Sequence, residues 1–374
     1  MGQSGYIRPE TLPALTSLRF MAAMMVVFMH TSSAFGWEFI PRHFIFGLGV
    51  SFFFILSGFI LTHNYLHRNV PFTTFIQNRW ARLWPAHLLW LAAVFILLPP
   101  GWWTFDGPGL LSKWVTLVAN IFMMHSIVPI QDYYFSWNAV SWSISTEFFL
   151  YLAFYPLLKN IRHTWRCKLL ITLFIFLSLD VIQHWFPITG MNITFAIPPA
   201  RVLEFFLGMT AYLIWEKTRE GKLWIAFLIT AVPLFLMLPE LTSLLPILSK
   251  ATQFIRVGLL CGYAALACLI ISLAGNHTLA RIVGVRPFVY LGEISYSLYL
   301  CHQVFIRMFL SQGPDGFWAS LSPPLQAALY FPIIFSASCL SYHIVEIPLR
   351  KMLRSIDFQR YFGIFKQKKA YHPL

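Results

Sequence analysis

The chain has 374 residues, of which 58% are hydrophobic and only 11% charged, with a mean hydropathy of +0.66. Soluble domains carry about a quarter charged residues, so there is too little polar surface here to coat a soluble globule and too much apolar surface for disorder. The 27 Lys and Arg against 14 Asp and Glu give +13; in so apolar a chain this points to cationic cytoplasmic loops, not to nucleic acid.

At ~20 residues per helical span, the length holds ten or eleven spans and no sizeable soluble domain. The predicted fold class is an all-α integral membrane protein. Its ten spans are read at 14–35, 44–64, 83–100, 138–158, 168–186, 196–215, 223–239, 252–274, 288–310 and 325–345. A shorter apolar stretch, 111–128, is interrupted by Lys113 and Asn120. It is read as a re-entrant or interfacial helix, which a bilayer tolerates only where protein shields it.

The first span carries two ionisable residues, Arg19 and His30. Eleven residues is three helical turns plus about 20°, so both lie on one face, ~16 Å apart along the axis. Such residues inside a span are functional candidates, and this pair suits an anionic ligand with a long reactive arm. The alternative is a snorkelling arginine and a hydrogen-bonded bundle histidine. Ser32–Ser33–Ala34 resembles a signal-peptide cleavage site, but Arg19 would interrupt the apolar region, and cleavage is not expected.

Between the second and third spans, Arg79 and Arg82 stand three apart and share a helix face. Paired guanidiniums match phosphate oxygens; an interfacial anchor with Trp80 and Trp84 is the other reading. Glu147 lies about two turns into the fourth span, with Ser143 one turn before it. A carboxylate there needs a partner or must be neutral. An imidazole oriented by it would serve general-base catalysis, and His30 lies at a comparable depth. A structural ion pair with Arg201 or Arg256 is the alternative. In the ninth span, Ser295, Tyr299 and His302 form one polar stripe, either a hydrogen-bond seam or a second functional histidine. The polar end of the last span, Tyr342, His343, Glu346, Pro348 and Arg350, is read as structural.

Orientation follows from the cations. With a cytoplasmic N-terminus, twenty fall inside, three (Arg42, Lys113, Lys250) fall outside and four lie within or at the edges of spans. That asymmetry predicts both termini in the cytoplasm. The five cysteines show no paired extracellular spacing, and no disulfide is expected. No zinc spacing, phosphate loop, dinucleotide fingerprint or nucleic-acid module occurs, and no metal is expected.

Taken in order, these motifs resemble acyltransferase family 3, the membrane-bound acyltransferases. The resemblance rests on Leu15–Thr16–Ser17–Leu18–Arg19–Phe20 followed by His30, on Gly49–Val50–Ser51 through Ser57–Gly58–Phe59, and on Arg79-x-x-Arg82. It continues with Trp142–Ser143 and Glu147, Ser295–Tyr296–Ser297–Leu298–Tyr299–Leu300-x-His302, and Glu346-x-Pro348. It implies a single membrane-embedded acyltransferase domain over residues 1–350, followed by a basic cytoplasmic tail, 351–374. It implies a bacterial inner-membrane enzyme that takes an acyl group, expected to be acetyl, from cytoplasmic acyl-coenzyme A (acetyl-CoA or another short acyl-CoA). The acceptor would be a hydroxyl at the outer face, on an exopolysaccharide, lipid-linked oligosaccharide or surface glycan. On this reading Arg19, Arg79 and Arg82 hold the donor, His30 is the base and Glu147 its support. His302 is the competing base, and Ser57 and Tyr299 line the substrate path. Direct transfer and a transient acyl-enzyme both remain open. A transporter or lipid flippase is the rival class, but no internal repeat or pair of broken helices supports it.

Overall fold

The computed structural model describes residues 11–39, 44–103, 110–187, 189–218 and 252–356. These residues are helical apart from turns and one isolated bridge, Ile130 to Met191. The principal helices are α1 (Pro13–Phe35), α2 (Leu48–Tyr65), α3 (Phe72–Leu97), α4 (Leu110–Ile121), α5 (Trp142–Leu158), α6 (Ile161–Trp185), α7 (Pro198–Thr218), α8 (Thr252–Leu273), α9 (Arg286–Leu310) and α10 (Pro323–Leu340). A π-helical turn, Ser341–Glu346, joins α10 to α11 (Ile347–Ser355).

Among the described residues, four helical segments are long and apolar enough to cross a membrane by length and composition: Pro13–Phe35, Leu48–Tyr65, Phe72–Leu97 and Pro323–Ser355. The ten expected spans are thus not all of that kind, and the expected span 223–239 lies outside the described residues. The physical reason is visible in α7 and α9. Both are long, but they carry buried charge: Glu204 in α7 and Arg307 in α9 are 0% and 6% exposed. The third span also starts earlier than expected. Helix α3 begins at Phe72 and runs through Pro85, so Arg79 and Arg82 share a helix face as expected but lie within the third long helix and not ahead of its start.

The outside of the bundle is apolar. Along α6, Leu170, Ile171, Phe174, Leu177, Val181 and Ile182 are all exposed, at helical spacing. A stripe of this kind is unfavourable in water and suits lipid tails. Helix α4 is inverted in the same sense. Trp114, Val115, Val118 and Phe122 face outward, while Thr116 and Asn120 are buried. Asn120 donates to Ser136 Oγ (2.9 Å) and to the Thr116 carbonyl (2.8 Å). The rings of Trp84 and His87 on α3 donate to the carbonyls of Ile121 (3.0 Å) and Asn120 (2.7 Å). The short helix is therefore anchored by protein on its polar side.

Two close pairings set the register of the bundle. On α1 and α9, Gly292 packs against the Thr16 backbone while His30 meets His302 further along, so the two helices run parallel. On α2 and α7, Ser51 meets Glu204, Phe59 meets Tyr212 and His67 meets Glu216, so these also run parallel. The second pair is locked by reciprocal glycines. A Cβ on Gly58 would lie 1.9 Å from the Phe205 carbonyl oxygen, and one on Gly208 would lie 1.8 Å from that of Ile55. Small residues permit such backbone approach. Gly58→Ala or Gly208→Ala should force the helices apart at a cost of about 1–3 kcal/mol, read as a lowered melting temperature of the detergent-solubilised protein. An unshifted melting temperature in both variants would contradict this packing.

Candidate active site

Two cavities meet inside the bundle, with Tyr299 and Val50 in the wall of each. The first has an empty volume of about 750 Å³ and is lined by Arg19, Arg79 and Arg82 together with Ser57, Glu147, Tyr151 and Tyr296. The second, of about 1030 Å³, is lined by His30, Gln131, Asp132, Trp142, Arg201 and Gln303, among others. Helix α1 contributes to both, because its one-faced pair puts Arg19 in the first cavity and His30 in the second.

Three guanidiniums from two helices share the first cavity. Arg79 lies against the rings of Tyr65 and Tyr151, at 5.9 and 6.0 Å from their centroids, and its Nε is buried without a hydrogen-bond partner. An unsatisfied buried donor beside two further cations is an arrangement that an anion would complete. Two carboxylates partly balance the cluster. Glu147 and Glu346 both lie within electrostatic reach of Arg19 and Arg82.

Glu147 sits differently from the sequence expectation. Its Oε1 accepts from Ser57 Oγ (2.5 Å) and from the Tyr151 hydroxyl, in the arginine cavity. The expected contact with His30 is replaced by this one. The reason is depth. Ser143, one turn before Glu147, meets the Tyr299 hydroxyl (2.8 Å). Glu147 is one turn beyond that level in one direction, and His302 is three residues beyond it in the other. The two are thus ~10 Å apart along the bundle, and the carboxylate lies at the level of the cations. Arg201, the other partner considered for Glu147, pairs with Glu204 at 2.8 Å. The Arg256 side chain lies outside the described residues.

His30 pairs with the other candidate histidine. Its Nδ1 lies 2.8 Å from His302 Nε2, with the rings stacked at 5.2 Å and 11°. His302 is fully buried, and its Nδ1 lies 2.6 Å from the Tyr299 carbonyl oxygen. A carbonyl can only accept, so His302 Nδ1 carries a proton, and in the neutral ring Nε2 is an acceptor. His30 must then donate its own Nδ1–H to His302. Its Nε2 is left with a free lone pair, on a ring that lines the second cavity. This arrangement can take a proton from a ligand and spread the resulting imidazolium charge into a hydrogen-bonded pair.

Tyr299 is buried and donates to the Val140 carbonyl (3.1 Å), standing between the cavities. Glu346, read from the sequence as structural, stands within electrostatic reach of Arg19 and Arg82. It is 0% exposed, accepts from Ser297 Oγ (3.2 Å) and lies 3.6 Å from Arg350. The π turn that ends at Glu346 carries this carboxylate, and π turns collect at functional sites. Its signal was present in Glu346-x-Pro348, but a π turn has no readable period. No group of three or more His, Cys, Asp or Glu placed to hold a metal occurs among the described residues.

A family model described as an acyltransferase domain matches residues 12–343. The chain is 29% identical over 376 residues to acyltransferase MdmB of Streptomyces mycarofaciens, covering 92% of this chain and 93% of that protein. It is 26% identical over 373 residues to O-acetyltransferase OatA of Staphylococcus aureus, covering 92% of this chain but only 58% of OatA. Nodulation protein 10 of Rhizobium leguminosarum bv. viciae is 25% identical, covering 92% and 94%. No solved structure gives a significant match.

Proposed function

The chain belongs to acyltransferase family 3, and from that premise we propose that it is a membrane O-acyltransferase moving an acyl group from cytoplasmic acyl-coenzyme A, expected to be acetyl-CoA, to a sugar-borne hydroxyl at the outer face. It is an acyltransferase by family, and O-acetylation is the activity carried in the name of its relative OatA. The observation that carries the finer reading is the meeting of two unlike cavities at Tyr299, one lined by three arginines and the other by His30.

The donor is a polyanion and would enter from the cytoplasmic side, where Arg79, Arg82 and Arg19 receive its phosphates. The parallel α1–α9 and α2–α7 pairs support termini on one side of the membrane, and the excess of cations argues that this side is the cytoplasm. The thioester would lie near Tyr299. His30 Nε2 takes the proton from the acceptor hydroxyl as its oxygen attacks the thioester carbonyl. The carbon–sulfur bond breaks, and the departing thiolate recovers that proton. His302 holds the His30 tautomer and takes over the positioning role first assigned to Glu147. Glu147, Ser57 and Tyr151 instead hold the arginine cavity in shape. A bacterial inner-membrane location and the ten-span topology belong to the same proposal.

The test is donor binding. Arg79→Ala and Arg82→Ala should each weaken acetyl-CoA binding to the purified protein by about 1.5–3 kcal/mol, the scale of charge-assisted hydrogen bonds. Lysine should restore only part, because it lacks the planar fork. Parent-like affinity in the double alanine variant would return both arginines to the role of interfacial anchors.

A further inference from the structure

The second cavity carries polar groups that the transfer step does not use. Gln303, one residue after His302, lines it, and its Oε1 is buried without a hydrogen-bond partner. Asp132 lines it as well, with no hydrogen bond or ion pair among the described residues. Both side chains offer oxygen acceptors to the cavity, and an acceptor is completed only by an O–H or N–H. The cavity's cation is partly engaged: Arg201 pairs with Glu204 at 2.8 Å and packs over Trp142 at 5.4 Å, while its Nε is buried without a hydrogen-bond partner. With Glu204 paired to Arg201, Asp132 is a second carboxylate beside that one cation, which tilts the cavity toward an acidic balance. Trp142 adds an apolar wall, the usual complement of a few convergent polar groups in a ligand pocket.

We propose that this cavity is the acceptor subsite, that Asp132 and Gln303 are the residues that position the acceptor, and that it takes an uncharged or amine-bearing polyhydroxylated ring in preference to an anionic sugar. The inference rests on the acyl-transfer reading above. Two acceptor oxygens and the His30 lone pair can engage three donors on one ring. A carboxylate or phosphate brings no donor and meets the charge of Asp132. Selectivity of this kind arises mainly by leaving the wrong ligand's partners unpaired.

The test uses purified full-length protein in lipid nanodiscs, with acetyl-CoA as donor and two probes of one ring, methyl β-D-glucoside and methyl β-D-glucuronide. Acetyl-CoA binding is measured first, without probe. Loss of that binding in the parent protein would overturn the acyl-transfer reading and the acceptor inference with it. With donor binding intact, the glucoside should accelerate coenzyme A release and form an acetylated product, while the glucuronide should not. Gln303→Leu should raise the KM for the glucoside by about tenfold without changing donor affinity. Asp132→Asn, which keeps the shape and removes the charge, should narrow the preference for the neutral probe. Equal use of both probes, use of neither, or an unchanged acceptor KM in both variants would overturn the inference and leave the donor site standing.

Discussion

His30→Gln should lower acyl transfer by about 10²–10⁴, the usual range for removing a positioned base. Glutamine keeps a polar group of similar reach and can still hydrogen-bond to His302. It cannot take a proton from a hydroxyl. Expression, insertion and acetyl-CoA binding should be close to those of the parent, because the donor's cations line a different cavity from His30. The measurement is coenzyme A release with acceptor present, alongside donor binding on the same preparation. A His30→Gln protein that binds donor and transfers at near the parent rate would remove the base from α1.

Much of the frame was legible from hydrophobic runs, because a span is a long local pattern. The pairing of Arg19 and His30 on one face of α1 was legible for the same reason: both lie on a single helix, where the period alone decides. What crosses between helices was not legible. Glu147 was matched to His30 by comparing depths along two separate spans, and an error of about two turns is enough to exchange a histidine for a cluster of arginines. The structure brings Glu147 to Ser57 and Tyr151. The start of α3 was misplaced because Pro85 and two arginines look like a boundary, yet the helix carries all three. Glu346 reads from the sequence as merely structural because the π turn beneath it leaves no periodic trace that would turn it toward the arginines. Gln303 escaped because an amide beside a histidine has no motif, and only the cavity gives it a meaning.

The second large effect separates the two histidines. His302→Leu should reduce transfer by about 10- to 100-fold, while His302→Gln should retain clearly more activity than His302→Leu. The reasoning is the tautomer chain. His302 receives the Nδ1–H of His30 at 2.8 Å and is itself held by the Tyr299 carbonyl at 2.6 Å. Leucine leaves the Nδ1–H of His30 without an acceptor in a buried position, which costs about 1–3 kcal/mol. His30 then shifts toward the tautomer whose proton sits on Nε2, and that form cannot act as the base. Glutamine can accept from His30 through its oxygen and donate to Tyr299 through its nitrogen, so it reproduces both links of the chain. A base role for His302 predicts the opposite pattern, since an amide is no better than leucine at taking a proton. If His302→Gln is as inactive as His302→Leu while His30→Gln transfers at near the parent rate, then His302 is the base and His30 is the residue that orients it.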